Sequence, residues 1–518
     1  MGLFDFIGPA SGLLFTLENI IWINLGVFIG CVFAAIPGLS VILCIILFLP
    51  VTYTMRAIPG MMFLLGIYCA GGYGGSVSAI LINTPGTPHA AATMLDGYPL
   101  SKMGRTKAAL KIALYASTFG GIFSALVLLF LGPQVAKISA QLGTAEYFMV
   151  CLFGMTIIAG VSGKSLVKGI IAACLGLLIS CVGADPMTSY DRFTFGIPRL
   201  YLGLDLAVTL IGLFALVEII GKAELKRNEL NLHAGKIGND DGKITKDEYK
   251  RMFRPVLMGS IIGSCVGIVP GTGASEASWF SYNTAKNLSK HPEEFGHGSV
   301  EGVAAAESAN NAVCGATLIP LLTLGIPGES VTAVLMGGLI IQGLQPGPEL
   351  FTRYAPMTYT FFAGFVLVQF FMLGIGLLGC RGFAQISRLS DAILIPSVAV
   401  LCVVGSFAIH KNFFDVVIMM IFGVLGYLVR KFDLNPAAIV LALILGPIGE
   451  NGLRRSLRLS GGSPAILFST PLCWVLIALC VFGVCSPIFM NRMEKKAVED
   501  AGGDIPDETG DDPVRTSD

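Results

Sequence analysis

Charged residues are scarce and unevenly distributed in this chain, and their distribution limits what it can fold into. Only 13% of its 518 residues are Asp, Glu, Lys or Arg, whereas a soluble globular domain carries about 25%. Segment 222–254 holds nine basic and six acidic residues, and segment 491–518 holds four and nine. The remainder has too little charge for a water-facing surface but suits hydrocarbon-facing helices of about 20 apolar residues. The sequence therefore predicts a multi-pass membrane protein and excludes an ordinary soluble one.

Apolar segments recur at lengths close to one membrane crossing. They cover residues 17–36, 39–55, 60–82, 109–131, 145–161, 166–183, 203–221, 255–270, 310–325, 331–344, 357–379, 392–409, 413–429, 434–447 and 464–486. The stretch 17–50 is too long for one helix and too short for two with a loop, and Pro37-Gly38 interrupts it, so we predict a broken or re-entrant helix there. The expected fold is all-α, with about 10–14 transmembrane or re-entrant helices.

Lys and Arg in short loops predict the orientation, because cytoplasmic loops carry the excess of both. The positions that fit the inside are Lys102, Arg105, Lys107, Lys111, Lys164, Lys168, segment 222–254, Arg381, Arg388, Arg430 and Lys431. Loops 132–144 and 184–202 and the N-terminus, which has no Lys or Arg, are then expected outside. The cluster Arg454, Arg455 and Arg458 does not fit this count.

Pro-Gly pairs repeat at fixed spacing in the two halves of the chain. Gly26, Gly30, Pro37 and Gly38 return 233 residues later as Gly259, Gly263, Pro270 and Gly271. Pro85, Gly86, Ala91 and Met94 return 242 residues later as Pro327, Gly328, Ala333 and Met336. If the first half starts outside and the second inside, the repeats are inverted. Many secondary transporters are built this way, with the site at broken helices near the membrane midplane.

These patterns predict five regions. They are a first transmembrane repeat at 1–221, a charged cytoplasmic loop at 222–254, a second repeat at 255–430, C-terminal transmembrane segments at 431–490, and an acidic tail at 491–518. The tail is rich in Asp, Gly and Pro, a composition typical of disorder.

Polar, glycine-rich strings lie inside the apolar segments, beside the Pro-Gly pairs. They are GGYGGS at 71–76, NTPGTP at 83–88, PGTGAS at 270–275, ESANN at 307–311 and LGIPG at 324–328. Pro and Gly free backbone N–H and C=O groups that lipid cannot satisfy. An anionic substrate could bind at the N-terminal ends of the half-helices, with Asn and Thr as further donors. The alternative is that these are packing breaks, with Asn310 and Asn311 hydrogen-bonding neighbouring helices together.

At these strings the sequence resembles the large membrane subunit of the tripartite tricarboxylate transporters, the TctA family. The similar stretches are SVSAILINTPGTPHAAATMLDGYP at 76–99, PGTGASEASWFSY at 270–282, FGHGSVEGVAAAESANNAVCGATLIPLLTLGIPG at 295–328 and GPIGENGLRRS at 446–456. The resemblance covers residues from about 12 to 490. It implies a secondary transporter of the bacterial inner membrane that imports citrate or a related carboxylate. It also implies coupling to Na⁺ or H⁺, no other cofactor, and two partners: a small membrane subunit (TctB-like) and a periplasmic solute-binding protein (TctC-like).

The predicted substrate-binding residues are Asn83, Thr84, Gly86, Thr87, Thr272, Gly273, Asn310, Asn311 and Gly328. A coupling cation is predicted near Pro37, Pro270, Glu307 and Gly325. Glu276 and Glu329 lie beside Pro-Gly pairs and are expected to approach the site from opposite sides and take part in coupling. The alternative is that both face an aqueous vestibule and pair with a basic residue.

Other classes of protein are less favoured. A channel remains the main alternative to a carrier. The five histidines show no metal-ligand spacing, and no nucleophile or base motif occurs in the apolar segments. We therefore predict neither an enzyme nor a metal site.

Overall fold

The computed structural model describes residues 12–161, 166–224, 242–386, 391–481 and 483. The predicted tail 491–518, residues 225–241 of the predicted loop, Lys164 and Arg388 lie outside these ranges. Within them the secondary structure is almost entirely helical. One short antiparallel strand pair, β1 (Gly183–Ala184) with β2 (Asp191–Arg192), accompanies the helices. The predicted all-α fold is confirmed.

The helices follow one another with short connections. In chain order they are α1 (Leu17–Ala34), α2 (Val41–Thr52), α3 (Ala57–Ile82), α4 (Ala91–Lys102), α5 (Thr106–Ser139), α6 (Thr144–Val161), α7 (Leu166–Ser180), α8 (Leu206–Leu210), the π-helical segment Ile211–Leu216, α9 (Val217–Glu224), α10 (Lys246–Ile268), α11 (Ala274–Leu288), α12 (Val300–Ala316), α13 (Leu318–Leu324), α14 (Ser330–Ile341), α15 (Glu349–Thr352), α16 (Ala355–Ile386), α17 (Asp391–His410), α18 (Phe413–Lys431), α19 (Pro436–Leu459) and α20 (Pro471–Val481). Within the described ranges, seven helices are long and apolar enough to cross a membrane, and four shorter apolar helices accompany them.

Helices α1 and α2 form a re-entrant hairpin. The Pro37-Gly38 pair separates them, and Gly38 has the left-handed φ of +77°, which favours glycine. Arg56, just before α3, lies 3.2 Å from Glu18 at the start of α1. Both ends of the hairpin therefore lie at one face of the protein, which we call the outer face. The predicted break in 17–50 is confirmed.

Helices α10 and α11 form a second hairpin that enters from the opposite face. Arg251, near the start of α10, bonds Glu301 at 2.8 Å and also pairs with Glu294, which follows α11. Arg105 lies 2.7 Å from Glu248, so this hairpin starts at the face of the basic loop, which we call the basic face. Helix α3, about 39 Å long, and α4 carry the chain from Arg56 to Arg105. The two halves are therefore inverted with respect to each other.

The charged loop is shorter than predicted. Residues 246–254 are not loop but the first turns of α10. Thr245 and Glu248 form a reciprocal capping box that starts this helix, and such a box satisfies backbone N–H groups that the first turn leaves free. Lys222 likewise belongs to α9. Charge indicated a loop here because charged residues mark a segment that lies in water. A helix that extends beyond the membrane also lies in water, so charge does not distinguish the two.

Glycine contacts repeat between the halves as closely as the sequence does. A Cβ added to Gly26 would lie 2.2 Å from the Phe63 carbonyl oxygen, and one added to Gly30 would lie 2.6 Å from the Ile67 carbonyl oxygen. A Cβ added to Gly259 would lie 2.6 Å from the Ala305 carbonyl oxygen, and one added to Gly263 would lie 2.4 Å from the Ala309 carbonyl oxygen. Ala305 and Ala309 follow Phe63 and Ile67 by 242 residues. Helix α1 thus packs on α3 as α10 packs on α12, with main chains in contact.

Adding one methyl group at this crossing should destabilise the protein. In Gly30→Ala the Cβ meets main-chain oxygen that no rotamer change can move, so we expect a loss of about 1–3 kcal/mol and a lower unfolding temperature in detergent. The control is Gly374→Ala in α16, where an added Cβ meets no atom within 4 Å and alanine favours the helix. Equal unfolding temperatures for the two variants would contradict this account of the packing.

One arginine of the cluster that did not fit the orientation count, Arg454, is neutralised at the outer face. Arg454 bonds Asp185 at 2.7 Å and Glu450 at 3.0 Å, and Arg192 pairs with the same two carboxylates. Desolvation raises the pKa of Asp185, but the hydrogen bonds from Arg192 and Arg454 outweigh it and hold that pKa well below its usual range. Because Asp185 and Arg192 belong to loop 184–202, Arg454 lies with a loop predicted to be outside. Two acids balance the two arginines there.

Candidate functional site

The four Pro-Gly breaks converge on one cavity of about 260 Å³. Each break contributes residues that follow it in the chain. The lining residues are Ile42 after the first break, Pro88 and His89 after the second, Gly271, Gly273, Ser275 and Glu276 at the third, Glu329, Ser330, Val331 and Ala333 at the fourth, and Asn435 and Ala437 from the start of α19. We call this space the break cavity. It lies between the two repeats.

The break cavity lies toward the basic face. Asn435 is the N-cap residue of α19. Two residues earlier, Asp433 is 3.2 Å from Lys168, which the charge pattern places inside. The other end of α19 carries Arg454, at the outer face. Since Asn435 lines the cavity at the start of this helix, the cavity is nearer the predicted cytoplasmic side.

Two helix N-termini meet in the cavity, and the protein's own carboxylates occupy one of them. Helix α11 begins after Gly273 and α14 begins after Glu329. Such ends carry free N–H groups and partial positive charge. At α11, the Gly273 N–H donates to Glu276 at 3.0 Å and the Ala274 N–H donates to Glu329 at 3.3 Å. These two side chains therefore satisfy N–H groups that the first turn of α11 leaves free.

Glu276 and Glu329 lie on the same side of the cavity, so the expected approach from opposite sides is wrong. A Cβ added to Gly273 would lie 3.1 Å from one Glu329 oxygen and 3.2 Å from one Glu276 oxygen. Both residues belong to the second repeat, whose two breaks are joined by the hydrogen bond from Gly271 N–H to the Gly328 carbonyl, 2.7 Å. Within the described ranges neither carboxylate forms a salt bridge with Lys or Arg.

The environments of the two carboxylates differ. Glu276 is exposed to the cavity and beyond, whereas Glu329 is only 9% exposed. The Tyr68 hydroxyl donates to Glu329 at 2.5 Å and lies 3.1 Å from the Thr317 hydroxyl. Tyr68 belongs to α3, so this contact ties the first repeat to the second. Among the described residues, Glu276 is thus exposed and bonded only to the Gly273 N–H at its own helix start, whereas Glu329 is buried and bonded across the repeats.

The predicted first-half donors lie beside the cavity but do not line it. Asn83 is exposed and ends α3 in the left-handed conformation, φ +56°. Thr84 is half-buried and its hydroxyl is 3.4 Å from the Ile82 carbonyl oxygen. Thr87 is buried, and a Cβ on Gly75 would lie 2.3 Å from its hydroxyl oxygen. Pro88 and His89, immediately after these residues, form the cavity wall instead.

Gly86 and Gly328 bring main chains together. A Cβ on Gly86 would lie 2.0 Å from the Ala34 carbonyl oxygen, and one on Gly328 would lie 2.8 Å from the Thr317 side chain and 3.2 Å from the Gly267 oxygen. Ala34 and Gly267 are again 233 residues apart. Each glycine therefore lets its break pack directly against the C-terminal end of a neighbouring helix, α1 for Gly86 and α10 for Gly328. Of the other second-half predictions, Gly273 lines the cavity, and the Thr272 hydroxyl bonds the Val266 carbonyl at 2.6 Å.

Asn310, Asn311 and Glu307 lie together, outside the break cavity lining. All three side chains are wholly buried in α12. Asn310 donates to the Gly72 carbonyl of α3 at 3.4 Å. Glu307 accepts hydrogen bonds from the hydroxyls of Ser76, Thr93 (2.5 Å) and Ser117 (2.7 Å).

The remaining cation candidates are dispersed. The Pro37 carbonyl accepts a hydrogen bond from the Lys222 ammonium at 3.2 Å. Pro270 is buried at the tip of the second hairpin. Gly325 has φ +71° and donates its N–H to the Leu321 carbonyl at 3.0 Å, which ends α13. The structure does not bring these three residues together around one point.

Sequence reasoning missed Tyr68 and Asp96. Asp96 of α4 is wholly buried, and its Oδ1 atom accepts from the N–H groups of Gly296 (2.8 Å), Gly298 (2.9 Å) and Ser299 (2.9 Å), just before α12. Asp96 lies between the apolar segments 60–82 and 109–131, so hydropathy did not mark it as a buried acid. No signal in the sequence marks Tyr68, because its partner follows 261 residues later.

The described residues contain no group of three or more His, Cys, Asp or Glu side chains that could hold a metal ion. The break cavity itself is lined by the start of α11, the start of α14 and the carboxylates of Glu276 and Glu329.

Comparison with known proteins shows which family the chain belongs to. The profile of the family described as "Tripartite tricarboxylate transporter TctA family" matches residues 20–441. An Agrobacterium vitis protein, described as an uncharacterized 52.8 kDa protein in the TAR-I ttuC' 3'region, is 34% identical over 485 residues, covering 93% of this chain and 96% of its own. A second A. vitis protein, from the TAR-II ttuC' 3'region, is 36% identical over 241 residues, covering 46% of this chain and 100% of its own. No solved structure matches significantly. The chain belongs to the tripartite tricarboxylate transporter TctA family.

Proposed function

We propose that this chain is the translocating subunit of an ion-gradient-driven secondary transporter that imports a tricarboxylate or related carboxylate. As a TctA family member it is a subunit of a tripartite transporter. The observation that supports a carrier is the convergence of four broken helices, from two inverted repeats, on one cavity. The proposal includes the bacterial inner membrane, a small membrane subunit and a periplasmic binding protein as partners, and transport without chemical change of the substrate.

The substrate carboxylate binds where Glu276 now accepts its hydrogen bond. Glu276 is exposed and can leave the Gly273 N–H, whereas Tyr68 holds Glu329 in place. The volume of about 260 Å³ lies just below the range of pockets for drug-sized ligands, about 300–1,000 Å³, and suits a small carboxylate. Glu329 lines the same cavity and repels an anion bound there. A cation or proton therefore has to accompany the substrate.

Access alternates through the inverted hairpins. The first hairpin enters from the outer face and the second from the basic face, and the break cavity is lined by Ile42 of the first and by Gly271 and Gly273 at the tip of the second. Movement of these broken helices against the surrounding helices would close the cavity to the basic face and open it to the outer face, while the binding residues stay together.

Transport by reconstituted protein tests this proposal. The chain and its small membrane subunit are placed in proteoliposomes, with the binding protein and labelled citrate outside and no ATP. We expect uptake above equilibrium only under an inward Na⁺ or H⁺ gradient, and counterflow from vesicles preloaded with unlabelled citrate. Uptake that merely equilibrates, without counterflow, would indicate a channel. Recovery of chemically altered citrate would indicate an enzyme.

A further inference from the structure

A separate cavity of about 290 Å³ lies between α10 and α11 at the basic face. We call it the basic cavity. Arg251, whose ion pairs mark that face, is one of its lining residues. Arg254 also lines it and immediately precedes the apolar segment 255–270. The cavity therefore lies where the hairpin passes from water into hydrocarbon, at the level of lipid headgroups.

One basic side chain of this cavity is already neutralised. Arg251 donates to Glu301 at 2.8 Å and also pairs with Glu294. The second oxygen of Glu301 accepts a hydrogen bond from the Ser289 hydroxyl at 2.7 Å. Glu301 is the one carboxylate that lines the cavity in the described part of the chain, so its charge is not available to other basic residues.

Three further basic side chains line the cavity without an acidic partner. Lys250 and Arg254 are one turn apart on α10, and Lys290 follows the end of α11. All three are exposed, and none forms a salt bridge or side-chain hydrogen bond with a residue that the structure describes. Like charges around one concave surface reinforce each other's field and attract an anion.

Exposed apolar side chains continue from the cavity toward the membrane interior. Phe253, Leu257 and Ile261 follow one another at four-residue intervals on α10 and are 65%, 37% and 47% exposed. They form a row beside the basic residues, because Leu257 lies three positions from Arg254 on the helix. Leu288 of α11 is also exposed and lines the cavity itself. The charged cavity is thus continuous with an apolar surface.

We propose that the basic cavity binds the phosphate group of an anionic phospholipid, whose acyl chains lie along Phe253, Leu257 and Ile261. Basic pockets beside membrane helices on the cytoplasmic side are typical sites for anionic headgroups. The cavity is too small for a whole phospholipid, so the chains lie outside it. A free phosphate ion offers the same charge but leaves the apolar row uncovered. The inference does not depend on the proposed function, because it involves neither the break cavity nor transport.

Native mass spectrometry of the purified, delipidated full chain measures the binding of single lipids. Dioleoyl phosphatidylglycerol, which has a net negative charge, is compared with dioleoyl phosphatidylcholine, which has the same chains and no net charge. We expect the first phosphatidylglycerol to bind about tenfold more tightly than the first phosphatidylcholine, and this preference to fall as the salt concentration rises. Equal affinities for the two lipids would overturn the proposal.

Arg254→Gln tests the location of the headgroup. One basic residue near an anionic lipid contributes roughly a fivefold change in affinity, so phosphatidylglycerol should bind about fivefold more weakly and phosphatidylcholine as before. The triple variant, with Lys250→Gln and Lys290→Gln added, should lose the preference. These side chains are exposed, so the variants should fold. Parental affinity for phosphatidylglycerol in Arg254→Gln would overturn the site.

Lys431→Gln is the matched control. Lys431 is an exposed basic residue at the end of α18, it is also predicted to lie inside, and it is not part of the cavity lining. This variant should keep the parental preference. A loss as large as that in Arg254→Gln would mean that overall charge attracts the lipid and would overturn the assignment to this cavity.

Two measurements distinguish a lipid from a free phosphate ion. Phe253→Ala removes apolar contact without changing charge, so it should weaken both lipids by a similar factor of roughly three; unchanged affinities would overturn the placement of the acyl chains. Excess inorganic phosphate at constant ionic strength should leave phosphatidylglycerol bound. Displacement of the lipid by phosphate would assign the cavity to the free ion and overturn the proposal.

Discussion

Asp96→Ala should lower the free energy of unfolding by about 2–4 kcal/mol, because it removes the acceptor of three main-chain N–H groups in a largely buried setting. Those donors, at Gly296, Gly298 and Ser299, immediately precede α12. Helix α12 carries Glu307 and the two buried asparagines, so a loosened start should also reduce uptake. Thermal unfolding in detergent, together with uptake in proteoliposomes, measures both effects.

Two further variants separate this contact from a general loss of charge. Asp96→Asn keeps a side-chain oxygen but loses its charge, which weakens the hydrogen bonds, so its effect should be intermediate. Asp433→Ala removes a carboxylate that is 85% exposed and 3.2 Å from Lys168, and such a surface pair contributes at most about 1 kcal/mol. If Asp96→Ala were no more destabilising than Asp433→Ala, Asp96 of α4 would not anchor the start of α12 as proposed.

Glu329→Gln should flatten the pH or sodium dependence of uptake more than it changes the maximal rate at saturating substrate. The Glu329 carboxylate lines the break cavity, and the Tyr68 hydroxyl fixes it there at 2.5 Å. An anionic substrate meets this charge, so its binding requires a proton or cation. Glutamine has a similar shape without the charge, and the requirement relaxes. Uptake is measured across a range of pH and of sodium concentration.

Glu276→Gln is the matched comparison, because Glu276 lines the same cavity but is exposed. Its effect on the ion dependence should be smaller. Unchanged pH and sodium profiles in Glu276→Gln, Glu329→Gln and the double variant would exclude both residues from coupling.

The sequence alone was sufficient for the breaks and for the inverted halves. Proline and glycine act on their own backbone, so Pro37-Gly38 and Pro270-Gly271 mark hairpin tips wherever the rest of the chain lies. Charge near helix ends is also a local signal. Arg105 and Glu248 therefore indicated the basic face, and the structure pairs them.

The residues that line the cavity could not be predicted from such local signals. Asn83, Thr84 and Thr87 had the right chemistry, but Pro88 and His89 line the cavity. Which residue of a break faces inward depends on the left-handed turn at Asn83, whose φ is +56°, and on helices packed against it from elsewhere in the chain.

Polar residues were recognised, but their partners were not. Asn310 and Asn311 were identifiable because buried amides are costly in a membrane, yet their convergence on Gly72 depends on the packing of α12 on α3. Tyr68 was not identifiable at all, because its importance comes from a contact with the other repeat.

Substrate protection of a cysteine in the break cavity shows directly whether the four breaks form the substrate site. Ser330, at the start of α14, lines the cavity, and Ser330→Cys places a thiol there. A membrane-impermeant maleimide is applied to inside-out vesicles with and without citrate, or the carboxylate that gives counterflow. The parent protein measures background from its native cysteines, of which Cys174 and Cys265 are exposed. Ser463→Cys, an exposed site after α19, is the control thiol in right-side-out vesicles.

The account predicts that Ser330→Cys reacts from the cytoplasmic side and that substrate slows this reaction, while substrate leaves the Ser463→Cys reaction unchanged. Reaction of Ser330→Cys at the same rate with and without a substrate that the same vesicles transport would contradict the claim that the four breaks form the substrate site.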